Sequence, residues 1–228
     1  TDGTDLTSTI TTQGDILFRD GSGLQRLAKG TAAQTLKMNS GATAPEWTTV
    51  AAASTDFVKL ATVTATGSAT TVAFDGHFTS DYLTYEMIGT GIYGASNMNL
   101  RMRFNQSGSA VSSSSYRTIN ILGYRNSGGQ STDTPGSWSD STMRIYYNDS
   151  GSDTHGSANI RVQDPLNTNT YHHATWHGGY AQNGEGGEMG ATHGVGMWNG
   201  NKNALSGITL YNANGGNMYG TYKLYGIK

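Results

Sequence analysis

Cysteine is absent from this 228-residue chain, so no disulfide and no thiolate-bound metal holds it together, and its redox compartment is not encoded. Proline is scarce, at 3 residues, and charged residues make up only 13%, about half the usual quarter. Basic residues are not in excess. With 14 Lys and Arg against 16 Asp and Glu, the net charge is −2, whereas a nucleic-acid binder should show a basic patch or a pI above ~9. No apolar run reaches the ~18 residues of a membrane span, and no charged segment leads into an apolar one, so neither a span nor a signal peptide is read. Thr1 is not Met, which leaves either removal of the initiator or an upstream portion open.

What is present is glycine, at 32 residues, together with Ser, Thr and Asn in the places that Lys and Glu normally fill. That mixture serves helices poorly and suits short strands joined by turns. The clearest strand is 97–106, where Met98, Leu100, Met102 and Phe104 share one face and Asn97, Asn99, Arg101, Arg103 and Asn105 the other. Alternation held over such a length is a strong strand signal. The same period recurs at 82–88 through Leu83, Tyr85 and Met87, and at 158–163 through Ala158, Ile160 and Val162. Further strands are predicted near 57–65, 70–74, 116–124, 142–147, 171–177, 205–211 and 218–227, with one short helical turn at Asp75–Ser80. Asn212–Asn217 is rich in Asn and Gly, which accept positive φ, and is predicted to close a hairpin between 208–211 and 222–225. Residues 56–228 therefore read as a jelly-roll-like β-sandwich.

The N-terminal part reads differently. Residues 14–47 hold four short apolar runs separated by Arg19-Asp20-Gly21-Ser22-Gly23, Gly30 and Asn39-Ser40-Gly41, and end on Pro45-Glu46-Trp47. A two-stranded ribbon of such runs is marginal in water and exposes both faces. Other copies of the chain are the expected support. Threefold winding gives an intertwined β-stalk and a homotrimer, with Leu17, Leu24, Leu27, Leu36 and Trp47 pointing inward. Residues 1–13 read as an arm, either flexible or docked as a strand on a neighbouring protein. Residues 48–55 are small, featureless and read as a linker.

The stretch Gly14-Asp15, Arg19-Asp20-Gly21, Gly23-Leu24-Gln25-Arg26-Leu27, Gly30-Thr31, then Asn39-Ser40-Gly41 and Pro45-Glu46-Trp47, resembles the repeat unit of bacteriophage tail-fibre and related appendage proteins. The ending Tyr222-Lys223-Leu224-Tyr225-Gly226-Ile227-Lys228 is similar to their C-terminal strand. The resemblance implies a non-enzymatic virion structural protein. Its arm would attach to other virion proteins, and its sandwich would face outward to touch a glycan or protein of the host surface. Two alternatives stay open: a head fibre or capsid-decorating protein, and a carbohydrate-active depolymerase.

Motifs of chemistry are weak. Gly89-Thr90-Gly91-Ile92-Tyr93-Gly94 matches G-x-G-x-x-G but runs into a strand where a dinucleotide site needs a helix. Gly190-Ala191-Thr192-His193-Gly194 superficially matches a nucleophile elbow, without the required strand-to-helix turn. His173 and His177 share a strand face ~13 Å apart, too far for one ion, although one histidine per subunit could meet on a threefold axis. Asn148–Asp153 lacks the spacing of a calcium loop, and Glu185 and Glu188 lie in a glycine-rich stretch with no cleft implied. No cofactor or metal is expected. Aromatic residues beside Gly, Ser and Asn are the better signal, because that composition is typical of adaptable binding surfaces. Tyr93, Tyr116, Trp138, Tyr146, Tyr147, Tyr180 and Trp198 fall in this class. Trp138, Tyr93, Tyr180 and Trp198 are the candidate receptor contacts, Trp138 first.

Overall fold

The computed structural model describes residues 6–50, 55–95, 97–126, 129–148, 154–182 and 188–228. Among the described residues the chain is all-β apart from one helical turn, α1 (Leu6–Thr9), and it divides into two compact units, 1–54 and 55–228. Among the described residues no helix is long and apolar enough to cross a membrane.

The first unit contains two hairpins, β1 (Ile16–Asp20) with β2 (Gly23–Leu27), and β3 (Gln34–Met38) with β4 (Pro45–Thr49). Asp20 shapes the first turn, its Oδ1 accepting from the backbone of Ser22 at 2.8 Å and Gly23 at 3.1 Å. Asp15 fastens the chain before it: Oδ2 accepts from Arg26 Nε at 2.6 Å and Thr12 N at 2.8 Å, and Oδ1 from Lys29 N at 3.0 Å. The Arg26 hydrogen bond is the main reason the Asp15 carboxyl is lowered to about 2. Trp47 Nε1 donates to Ala28 O at 2.8 Å, and its ring lies over Gly30, where a Cβ would come within 2.7 Å.

Register splits the set of residues expected to point inward. Paired residues share a face, so Leu27 lies with Ile16 and Phe18, whereas Leu17 and Leu24 lie on the reverse face with Arg26 and Arg19. Leu36 and Trp47 do share a face, with Met38. Period-two alternation leaves no choice: Leu17 cannot point the same way as its neighbours Ile16 and Phe18. Within 8–50 no side chain is buried. The expected linker starts inside β4, which runs through Thr48 and Thr49; residues 51–54 lie outside the described residues, as do 1–5 of the expected arm.

The second unit carries, in chain order, β5 (Phe57–Thr66), β6 (Thr71–Asp75), β7 (Thr84–Gly94), β8 (Met98–Gln106), β9 (Ser109–Ala110), β10 (Tyr116–Asn126), β11 (Gly129–Asp133), β12 (Gly136–Asp140), β13 (Met143–Asn148), β14 (Thr154–Gln163), β15 (His172–Gln182), β16 (Met189–Trp198), β17 (Gly207–Asn212) and β18 (Met218–Ile227). They form a β-sandwich. A nine-stranded antiparallel sheet runs β11-β10-β16-β15-β14-β7-β18-β5 with β12 also on β10; a five-stranded one runs β13-β8-β17-β6 with β9 on β8. Met98, Leu100, Met102 and Phe104 of β8 are fully buried, as the alternation predicts, and face a core with Met87, Ile160, Trp176 and Leu224 of the large sheet. Ala158 and Val162 are buried as well.

Three local expectations fail. β17 and β18 do not form a hairpin: β17 pairs with β8 and β6, and β18 with β7 and β5. Ile208 and Leu210 must face Tyr222 and Leu224 through the core, so the intervening loop crosses from one sheet to the other. Asn212 fixes that crossing, accepting from Asn99 N at 3.0 Å and donating to Asn97 O at 3.1 Å. Leu83 is 68% exposed because it precedes β7 and its backbone N instead meets Ile227 O. Asp75–Ser80 makes no helical turn. Gly76, at φ 73°, turns the chain so that Phe78 packs on Tyr85 with ring centroids 4.2 Å apart.

Candidate binding face

The outer surface of the nine-stranded sheet follows from the register. On β10, β14, β15 and β16 the even-numbered side chains enter the core, so the odd-numbered ones face outward. One cross-strand row reads Glu86, Arg161, Thr175, Val195, Ile119, Gly136 on β7, β14, β15, β16, β10 and β12. It is polar at one end and apolar at the other. Ile119 and Ile121 are each 57% exposed and Val195 40%, which is unusual for adjacent large aliphatics.

Trp138 stands over the apolar end and is 81% exposed. A β-bulge puts it there: Tyr116 pairs with Asp140 and Thr118 with Ser137, so Trp138 and Ser139 both oppose Arg117. Bulges of this kind re-aim a side chain. The Arg117 guanidinium lies 5.4 Å from the Trp138 ring centroid, within cation–π reach. Asn199 steadies it, accepting from Arg117 Nη2 at 2.9 Å when its amide is oriented to suit its neighbours. Asp140 anchors the end of β12 to the other sheet through Arg101 Nη1 at 3.0 Å. The result is a groove of about 410 Å³ lined by Arg117, Ile119, Gly136, Trp138, Val195 and Met197.

The polar end is built around Glu86, only 7% exposed. Burial alone would raise its carboxyl, but hydrogen bonds from Arg161 and Asn159, at 2.7 and 2.5 Å, together with the charges of Arg161 and His177, outweigh that and lower it. A polar recess of about 200 Å³ lies among Glu86, Asn159, Arg161, Thr175 and His177.

The sequence candidates fall in different places. Tyr93 stacks on Tyr219 at 4.4 Å, with His155 edge-on at 5.3 Å, beside an open basin of about 550 Å³ that also includes Thr64, Thr90 and Thr221. Tyr180 is half-buried against Gly190 and borders a trough of about 520 Å³ at the far end of β10, β15 and β16. Trp198 is not a surface residue. It is 2% exposed, packs 6.2 Å from Tyr116 and donates Nε1–H to Ser113 Oγ at 3.0 Å. Tyr116 is equally buried, donating to Val111 O and accepting from Phe104 N, both at 3.0 Å, and burial pushes its phenol up. Aromatics at strand ends beside Ser and Gly read as loop residues in sequence, and here they close the core. The side chains of Tyr146 and Tyr147 lie outside the described residues, as do 149–153 of the suspected calcium loop and Glu185.

The G-x-G-x-x-G match lies inside β7 and the elbow-like pentapeptide inside β16, neither at a strand-to-helix turn. Among the described residues no three His, Asp or Glu side chains converge as metal ligands. The structure places Ala174, Trp176 and His172 in the core and His173 and His177 outside, as alternation predicts.

His172 is 2% exposed, its Nε2–H donating to Asn203 O at 2.8 Å. Burial lowers its pKa below the ordinary 6.5. A histidine held neutral in the fold and protonated when unfolded contributes stability that is present above the unfolded value and lost as pH falls toward the folded one. Melting temperature is therefore expected to drop between about pH 7 and 5, above the carboxylate range in which Glu86 acts. His172→Gln should flatten that limb in pH-dependent thermal melts.

Comparisons with protein-family models, with curated proteins and with solved structures returned no match.

Proposed function

We propose that this chain is a non-enzymatic bacteriophage appendage protein, a trimeric tail fibre whose sandwich binds a host-surface ligand on the outer face of its large sheet. The observation that carries the reading is Trp138, 81% exposed, over the groove of Ile119 and Val195 with Arg117 against its ring. An aromatic ring held by a bulge, with a cation and an apolar floor beside it, suits an apolar or sugar-ring face carrying a polar rim. The N-terminal unit supports the oligomeric part, since none of the side chains in 8–50 is buried within one chain. The motif resemblance at 14–47 supports the virion location.

Host adsorption tests the binding role. Trp138→Ala is expected to weaken attachment about 30-fold, the ~2 kcal/mol of an aromatic hot spot, with the melting temperature unchanged because the ring is outside the core. Unaltered adsorption by that variant would overturn the assignment of this groove.

A further inference from the structure

Folding brings together two exposed histidines that are not near one another in sequence. His177 on β15 and His193 on β16 are direct cross-strand partners. Both side chains point outward, because their strand neighbours Trp176 and Gly194 are on the buried face. Directly opposed residues have Cβ atoms ~4.5–5.5 Å apart. Two zinc-bound nitrogens at bond lengths of ~2.0–2.1 Å in tetrahedral geometry lie about 3.3 Å apart, a separation two such imidazoles reach by side-chain rotation. The alternative pair on one strand, His173 and His177, is ~13 Å apart and cannot do so.

The surroundings favour a cation. Asn159 is the next residue on this row beyond His177, and Ile121 the next beyond His193. Asn159 gives its Nδ2–H to Glu86 at 2.5 Å, so the amide's other end, Oδ1, is an acceptor on the histidine row. Arg161 lies nearby, but its charge is matched by Glu86 at 2.7 Å. The row's next cation, Lys223, lies three strands from His177, about 14 Å away.

We infer that His177 and His193 form a two-imidazole site for a transition-metal dication of the zinc, nickel and copper class. Imidazole suits these metals, whereas calcium and magnesium demand oxygen ligands. Since no third His, Asp or Glu converges among the described residues, water fills the remaining positions. Binding needs both rings neutral, so protons compete with the metal.

Isothermal titration of the full chain with zinc chloride tests this directly. At about pH 7.5 one equivalent per chain is expected. His177→Ala and His193→Ala should each abolish uptake, while His173→Ala, half-buried on the outer face of the same strand, should keep it. All three positions lie outside the core, so the metal-free variants should melt with the parent chain. The inference is overturned by absence of uptake, by uptake surviving in His193→Ala, or by equal loss in His173→Ala. Zinc uptake accompanied by a rise in mass above that of the metal-free protein, read by light scattering, would overturn it too.

Discussion

Removing residues 1–50 is expected to reduce the mass in solution from that of three chains of 24.1 kDa each to that of a single shortened chain. The first unit carries two hairpins. Each has five-residue strands, and an isolated two-stranded ribbon is marginal in water. Ile16, Phe18 and Leu27 line one face of the first hairpin, and Leu36, Met38 and Trp47 one face of the second. Leu36 and Met38 remain 43% and 52% exposed. Burying them against other copies is the favourable term available to this unit, at ~25 cal/mol per Å² of apolar surface. The sandwich has its own core and is expected to stay folded after truncation. Light scattering of the full and shortened chains decides the matter. A truncated chain that remained trimeric with an unchanged melting point would place the association in the sandwich.

Gly194→Val is expected to destabilise the sandwich by about 3 kcal/mol, a drop in melting temperature of roughly 6–12 °C for a unit of this size. Gly194 lies on the inner face of β16, beneath the Trp176 ring and beside Asn120. A Cβ there would come within 2.5 Å of Trp176 and overlap Asn120 Oδ1. That oxygen accepts from Trp176 Nε1 at 2.8 Å, and Asn120 is itself 3% exposed. The new side chain would therefore overpack the core and break a buried hydrogen bond at once. Gly196 is used the same way, against Met143 and Trp176, and Gly190 against Tyr180. Thermal or urea melts of the single variant give the number. A loss below about 1 kcal/mol would mean that the sheets separate readily enough to absorb the side chain.

The same glycines explain what the sequence conceals. Strands with apolar inner faces, such as Met98–Gln106, are legible from alternation alone, and their positions and buried residues agree with the structure. β16 was not legible because its pattern is inverted: Gly190, Gly194 and Gly196 occupy the inner positions while Met189, Val195 and Met197 face out. Tyr180 and Trp176 of β15, with Asn120 and Met143, fill the space these glycines leave, so up to Met197 the strand carries its large apolar side chains on the surface, and Trp198 at its end turns inward. The binding face and the glycine-lined core are therefore two sides of one strand. Trp138 was legible as an aromatic without apolar partners. Its setting was not, because the bulge in β12 and the floor of Ile119 and Val195 arise from register between distant strands. The pairing of His177 with His193 is hidden for the same reason. Tyr116 and Trp198 show the converse error: composition beside them reads as loop, yet they are cross-strand partners at the rim of the core.

The last strand has a consequence for how the protein is made. β18 is inserted between β7 and β5, and it is the strand that joins β5 to the large sheet. A ribosome adding ~5–20 residues per second therefore spends roughly 8 to 30 seconds between finishing β5 and starting β18. For all of that interval β5 has no partner in its sheet, and from the completion of β7 onward β7 offers an open edge. Neighbouring nascent chains on one messenger carry the same open edges, and unpaired edges are templates for pairing with another chain. Yield should accordingly fall with translational crowding and recover when a holding chaperone is co-expressed, a vulnerability of synthesis that the completed fold no longer displays.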